Sequence, residues 1–474
     1  MGTLQGSKFE NGDNLNLDLI FYLFEGLIIL GVVVAANYLF KKKFTKGIAY
    51  GMLLLNLVLI AQSLSAALAV DSFWKVEKIP IADSHTITFS KDTQNVVYLM
   101  LDMFQGWYYP EILKDNPGLN EDFSDFTYYP NTLAISNYTA SSMPSMLGGY
   151  NFTPDKIDRD SVNHLGHKML VASESFQQDV KSRGYHLTST EIPYSGIDKR
   201  KFDTYLPLWK PEWDRLKTPL HIGNSYEIGF SLLWANALFY SAPYFVKPII
   251  YNDGVWFWGT KESNANSGLA KPYNFLRALP LLSDTQSEEP VFTLICSKTT
   301  HFPWDKVKDD GTFVPDIGPY NNNTWALQKV KLWIDWMKEN GVYDNTKIII
   351  VSDHGIRTRN ANDTIMKGSP YKWGANNDDT RKEQLAFSPF LLVKDFNATG
   401  ANKVDDRFMC NVDAIDIALN RNDPTKIEPP LKRSLNAYWV SWRIKVYEDK
   451  QYPITKSFRV NNNIYDSVNW QKTK

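Results

Sequence analysis

NVVYLMLDMFQG, Asn95 to Gly106, sets the architecture of the rest of this chain. From Asn95 to Leu101 it carries no charge; it then meets one acid, Asp102, and passes into polar loop. A short apolar run with two buried faces is the pattern of a strand inside a parallel sheet. An acid at the carboxyl end of such a strand lies where open α/β sheets gather ligands. Two later runs repeat the design. VFTLICS (291–297) leads to His301, and KIIIVSD (347–353) ends on Asp353 with His354 and Gly355 next. Strand ends that deliver Asp, His and Asp-His predict one shared metal centre.

Outward from these strands, the pattern alternates. A helix is expected over Ser173 to Ser182, ending at Arg183-Gly184, with strand YHLTST (185–190) after it. Asn323 to Asn340 predicts a long helix, SPFLLVK (388–394) a strand and NVDAIDIALN (411–420) a helix. From Tyr438 the tail alternates as a hairpin would, WRIKVYED and then SFRVNNNIYDS. Strands alternating with helices predict an α/β sandwich with a largely parallel central sheet. The stretch from about Leu206 to Asn274 is rich in Trp, Tyr and Pro. Its KPIIYNDGVWFWG, including Trp256 to Trp258, fits a wall of the site, a surface near a bilayer or plain core packing.

The amino-terminal part is different. Residues 1–18 are polar, Leu19 to Phe40 is almost wholly apolar, KKKFTK (Lys41 to Lys46) follows, and a second apolar run covers Gly47 to Val70. Each run can cross a ~30 Å hydrocarbon core as a helix. Residues 19–70 therefore predict a transmembrane hairpin, with 71–94 as a linker and 95–474 as the globular domain. Glu25, Asn37, Asn56 and Gln62 inside the runs point to helix–helix contacts. The lysine cluster belongs in the cytoplasm, which puts the globular domain outside it, on a multi-pass cell-membrane protein. An outside amino terminus without a signal peptide fits either earlier spans or insertion as a hairpin.

Composition narrows the rest. A net charge of −1 and no basic stripe argue against nucleic acid. Two cysteines, Cys296 and Cys410, exclude a disulfide framework and a zinc finger. Cys296 falls in a predicted buried strand and reads as a core residue; a Cys296–Cys410 bridge stays open for a domain outside the cytosol.

Asp102, Asp353 and His354 supply two carboxylates and an imidazole, a set suited to one divalent ion: Zn²⁺ or Mn²⁺, with Mg²⁺ or Ca²⁺ as further fits. The partner it needs is in NYTASSMPSMLGG, where Thr139, Ser141 and Ser142 precede a small-residue turn with Pro144. There a hydroxyl would stand at a helix start, whose N–H groups help hold a phosphate. A hydroxyl on a divalent cation loses its proton far more readily, which would let one of these hydroxyls serve as nucleophile and complete the ligand set.

These motifs together resemble the alkaline phosphatase/sulfatase superfamily, in its membrane-anchored branch of lipoteichoic acid synthases, phosphoglycerol transferases and phosphoethanolamine transferases. The resemblance runs from about Asn95 to Pro430 through LMLDMFQ, TASSMPSMLGG, TTHFPW and VSDHG. It implies that fold, Thr139 as nucleophile, and His301 as a substrate-binding histidine. The segment 411–420 resembles a late sulfatase segment without a catalytic role. The chain departs from formylglycine sulfatases, which carry Cys or Ser followed by x-Pro-x-Arg, and from two-metal enzymes, which place a second acid where Met103 stands. The phosphoethanolamine transferases have cysteines flanking their nucleophile; here Ser145 occupies one such place. The synthases usually have Glu at the position of Asp102.

The resemblance implies a transferase that moves phosphoglycerol or phosphoethanolamine from a phospholipid to a cell-envelope glycan or lipid. The alternative is a sulfatase-like hydrolase of sulfuric or phosphoric esters with the same chemistry. A third class is a tethered binding protein that has lost catalysis. The oligomeric state is not expressed in the sequence.

Overall fold

The computed structural model describes residues 19–41, 86–206, 275–302, 317–357, 384–428 and 432–474, with scattered residues between. The chain divides into two compact units. One is Met1–Pro80 with Ile222–Leu269; the other is Ile81–His221 with Ala270–Lys474.

In the first unit, helix α1 covers Leu19–Lys41. The first expected span is thus helical, though many of its side chains lie outside the described set, and the second span lies almost wholly outside it. Among the described residues no helix is long and apolar enough to cross a membrane. Phe239 and Ile250 pack with Leu238, Ala242 and Val246 in a small apolar cluster beside the short helix Lys247–Tyr251. Trp256 to Trp258 fall outside the described residues.

The second unit is an α/β domain. Its main strands are β1 (Ile87–Ser90), β2 (Asn95–Leu101), β3 (Thr127–Tyr128), β4 (His186–Thr190), β5 (Thr204–Leu206), β6 (Ser283–Ser287), β7 (Val291–Ser297), β8 (Thr346–Val351), β9 (Leu391–Lys394), β10 (Lys403–Val404), β11 (Ser434–Val440), β12 (Ile454–Asn461) and β13 (Trp470–Lys472). Its main helices are α2 (Thr139–Gly148), α3 (Leu165–Ser182), α4 (Pro319–Glu339) and α5 (Asp413–Ala418).

Eight strands form a mixed, largely parallel sheet in the order β10-β3-β9-β8-β2-β7-β4-β5. β8, β2, β7, β4 and β5 pair in parallel, while β9 runs antiparallel to both neighbours. All seven residues of β2 are buried, as a central strand requires. Its side chains alternate between two cores. Val97, Leu99 and Leu101 face one, filled by Trp333, Leu327 and Ile334 of α4. Val96, Tyr98 and Met100 face the other, against Met143 and Met146 of α2, Phe176 of α3 and Ile415 of α5. Adjacent registers bring Met100 opposite both Val351 and Cys296. The carboxyl ends of β2, β7 and β8 therefore share one edge, and the functional loops leave from it.

Several boundaries differ from expectation. β1 lies within the stretch expected as linker and pairs with β6, so the domain begins before Asn95. The helix expected from Ser173 starts at Leu165, because His164 caps it through its Nδ1. The tail does not make its hairpin from WRIKVYED. β11 ends at Val440, before it, and pairs with β12, which pairs in turn with β13. The WRIKVYED stretch is loop, with Trp442 and Tyr447 exposed, while SFRV of the second segment lies within β12. Cys296 and Cys410 are both free and buried, in separate cores, so the bridge left open does not form. Burial pushes the Cys410 thiol up to about 12.

Candidate metal centre

At the end of β2 the ladder continues one residue, with the Asp102 N–H donating to the Ser297 carbonyl of β7 at 2.9 Å. The chain then turns through Met103 at φ 64°, a left-handed conformation uncommon for a residue with a Cβ. That turn aims the Met103 N–H at Oδ1 of Asp353, 3.1 Å away. The His354 N–H donates to the same oxygen at 2.9 Å. One oxygen of Asp353 thus takes two backbone donors. Its other oxygen, Oδ2, and Oδ1 of Asp102 are buried with no hydrogen-bond partner among the described residues.

Ligand atoms of Asp102, Asp353 and His354 lie within 4.8 Å of one another, and all three residues are buried. His354 Nδ1 sits 2.7 Å from the Gly355 carbonyl. A carbonyl only accepts, so Nδ1 carries the proton and Nε2 presents its lone pair. Nε2 stands 3.5 Å from Asp353 Oδ2 and 3.5 Å from the Thr139 hydroxyl.

Burial and then the Asp353 charge push the Asp102 carboxyl up to about 8; His354 and Lys298 pull it the other way. Buried, partnerless carboxylate oxygens facing an imidazole lone pair are unfavourable unless a cation or a proton is among them. Two oxygens, one nitrogen and a nearby hydroxyl form a donor set that fits one divalent ion.

Thr139 is the first residue of α2, after Tyr138 in extended conformation. The N–H groups of Ser141 and Ser142 both turn back to the Tyr138 carbonyl. The segment expected as a small-residue turn is helical straight through Pro144. A proline inside a helix strips the carbonyl four residues earlier of its donor. Here that carbonyl is Ala140's, and the buried Tyr452 hydroxyl donates to it at 3.0 Å. Asn137 completes the anchoring: its Oδ1 accepts from the Val440 N–H at 2.7 Å. The small carboxyl-terminal sheet therefore holds the loop that leads into Thr139.

Sequence reasoning missed the residues that hold the ligands in place. Asn411 Nδ2 donates to the Asp353 carbonyl at 2.6 Å, and its Oδ1 accepts from the Ile135 N–H at 3.0 Å. Asn411 thereby links the Asp353 loop to the loop before Thr139, in a segment expected to have no catalytic role. Gln105 accepts from the Ile356 N–H at 2.8 Å and donates to the Ser388 carbonyl at 3.1 Å. Gly355 allows this approach, since a Cβ there would collide with the Leu385 carbonyl. Gln105 stands in the stretch that announced the site, and its spacing after Asp102 was the available signal.

The structure brings Asp102, Thr139, Asp353 and His354 together. His301 is not among the clustered ligands. It lies half-buried in the turn after β7, on the same edge of the sheet, with its Nδ1 against the Phe302 carbonyl. Neighbouring Thr300 donates to the Asp102 carbonyl at 2.6 Å and ties this turn to the metal loop.

No protein-family model and no curated protein matches the sequence. Solved structures that the chain resembles include a protein of the alkaline phosphatase superfamily from Vibrio parahaemolyticus, 12% identical, with TM-score 0.40 over 82% of this chain and 83% of that one. A phosphonate monoester hydrolase of Agrobacterium radiobacter is 13% identical, with TM-score 0.43 over 80% and 88%. The C-terminal periplasmic domain of EcEptC from Escherichia coli is 12% identical, with TM-score 0.37 over 74% and 91%. These neighbours are members of the alkaline phosphatase superfamily. At such low identity, the chemistry of this site is read from its own atoms.

Proposed function

We propose that the chain is a membrane-anchored, metal-dependent transferase that moves a phospho-head group from a phospholipid to a cell-envelope glycan or lipid. Phosphoglycerol and phosphoethanolamine are the head groups it fits. The supporting observation is the convergence of partnerless oxygens on Asp102 and Asp353 with His354 Nε2 and the Thr139 hydroxyl.

A divalent cation held by Asp102, Asp353 and His354 would acidify a neighbouring hydroxyl and offset phosphate charge. Thr139 Oγ1 attacks phosphorus, forming a phosphothreonine diester, and the bond from phosphorus to the diacylglycerol oxygen breaks. The Thr139 proton ends on that leaving oxygen, with His301 as the candidate carrier. An acceptor hydroxyl then attacks phosphorus, the Thr139 oxygen leaves, and the acceptor's proton returns to it. The N-terminus of α2 favours the phosphate charge throughout. In this account the apolar runs 19–40 and 47–70 cross the bilayer, the lysines between them stay inside, and the catalytic unit meets lipid head groups outside.

The test is incubation of the full chain in vesicles with head-group-labelled phosphatidylglycerol or phosphatidylethanolamine and a glycan acceptor. Diacylglycerol released together with labelled acceptor supports transfer. Diacylglycerol released with free head group alone replaces transfer with hydrolysis. No release with any divalent cation overturns the reading.

A further inference from the structure

Beside the metal centre stands a pair of tyrosines that the reaction above leaves unused. Tyr194 lies in the loop after β4, whose carboxyl end shares the functional edge of the sheet. It is 42% exposed, and its backbone is left-handed at φ 60°. A residue with a Cβ held there is strained, and such strain clusters at ligand sites. Its hydroxyl lies 3.0 Å from the hydroxyl of Tyr138, the residue before the nucleophile, with ring centroids 6.1 Å apart. The Arg357 guanidinium, three residues beyond His354, lies over the Tyr138 ring at 5.6 Å and the Trp439 ring at 5.8 Å. Tyr194 is near enough for Asp102 and Asp353 to be among the charges that raise its pKa, after burial and Tyr138.

Two phenols bonded to each other use one of their two protons in that bond. The second proton and the remaining lone pairs can bond a third oxygen. With flat aromatic faces and a stacked guanidinium around them, they suit a polyol or sugar rather than a bare alkyl chain. We propose that Tyr194, paired with Tyr138, is a specificity residue that binds a hydroxyl-bearing group next to the reacting phosphorus. The proposal rests on the transfer reading above. That group is either the donor's head group or the acceptor, and the two sources separate experimentally.

Tyr194→Phe removes one hydroxyl and keeps the ring and the backbone. In the full chain with Mn²⁺, two chromogenic diesters are compared, methyl p-nitrophenyl phosphate and glyceryl p-nitrophenyl phosphate. A third assay uses the methyl ester with methyl glucoside as acceptor, and reads the ratio of transfer to hydrolysis. Loss of one hydrogen bond predicts about a tenfold selective effect. It appears in KM for the glyceryl ester if the donor is held, or in the transfer ratio if the acceptor is held. In either case kcat/KM for the methyl ester stays within about twofold. An equal loss on all three, or no loss on any, overturns the proposal. If the unaltered chain turns over neither ester, the transfer reading fails by itself. Saturation-transfer NMR of methyl glucoside then decides the tyrosine claim: a signal lost in Tyr194→Phe supports it, and an unchanged signal overturns it.

Discussion

Replacing Asp102 by Asn should stabilise the metal-free protein while removing its affinity for the metal. The free carboxyl of an unfolded chain titrates near 3.8, and in the fold it is pushed up to about 8. Holding the proton on Asp102 at pH 7 therefore costs about 4 kcal/mol relative to the unfolded chain. Asn has the same shape and no proton to hold, but it buries an amide that lacks partners, which offsets about 1–3 kcal/mol. The net gain expected at pH 7 is about 1–3 kcal/mol. The sign follows from proton counts. Between pH 4 and 8 the folded wild type binds the proton more tightly than the unfolded chain. Its stability relative to the Asn variant is therefore greatest at the acid end and falls as pH rises, by about 1.4 kcal/mol per unit. Urea unfolding of chelator-treated full chain, followed by tryptophan emission at pH 5 and pH 7.5, measures this directly. Adding Mn²⁺ at a hundred times its Kd should raise wild-type stability by about 2.7 kcal/mol and leave the variant unmoved. Equal pH slopes in the two proteins, or a metal-free variant less stable than wild type at pH 7.5, would refute the reasoning.

Asn411→Ala strips the Asp353 carbonyl and the Ile135 N–H of their buried partner. It should cost about 2–4 kcal/mol in urea unfolding and weaken metal binding by about 10–100-fold in equilibrium dialysis. Tyr452→Phe leaves the Ala140 carbonyl, already deprived by Pro144, without a donor. The expected loss is about 1–3 kcal/mol, and a compensating Pro144→Ala should recover part of it. Gly355→Ala drives a Cβ into the Leu385 carbonyl and the Gln105 side chain. At least about 1–3 kcal/mol of stability should disappear, with metal affinity falling alongside.

The sheet was legible because a strand buried on both faces has a plain signature. β2 and β7 match their predicted limits, 95–101 and 291–297, residue for residue. The clustering of Asp102, Asp353 and His354 was legible for the same reason, since each follows such a strand. What stayed hidden was long-range or conformational. Nothing local marks Asn411 as the bridge between two loops, because both of its partners lie more than fifty residues earlier in the chain. Met103 looked like the absence of a second acid; its role is the left-handed turn that points its N–H at Asp353. The Pro144 segment read as a turn because the missing helical hydrogen bond is replaced from Tyr452, which no local pattern reveals. The tail misled for the opposite reason: alternation over WRIKVYED is a strand pattern that the fold leaves as loop, with β11 formed from the residues before it.

The central claim is that Thr139 is the covalent nucleophile of a metal-dependent phosphoryl transfer. The most direct measurement is mass spectrometry of the Thr139 peptide after the full chain is incubated with Mn²⁺ and defined phospholipids and then acid-quenched. A mass increase of one phosphoglycerol or phosphoethanolamine on Thr139, lost with chelator and absent in Thr139→Ala, is the predicted result. Turnover that persists in Thr139→Ala, with no adduct on the unaltered chain, would contradict it.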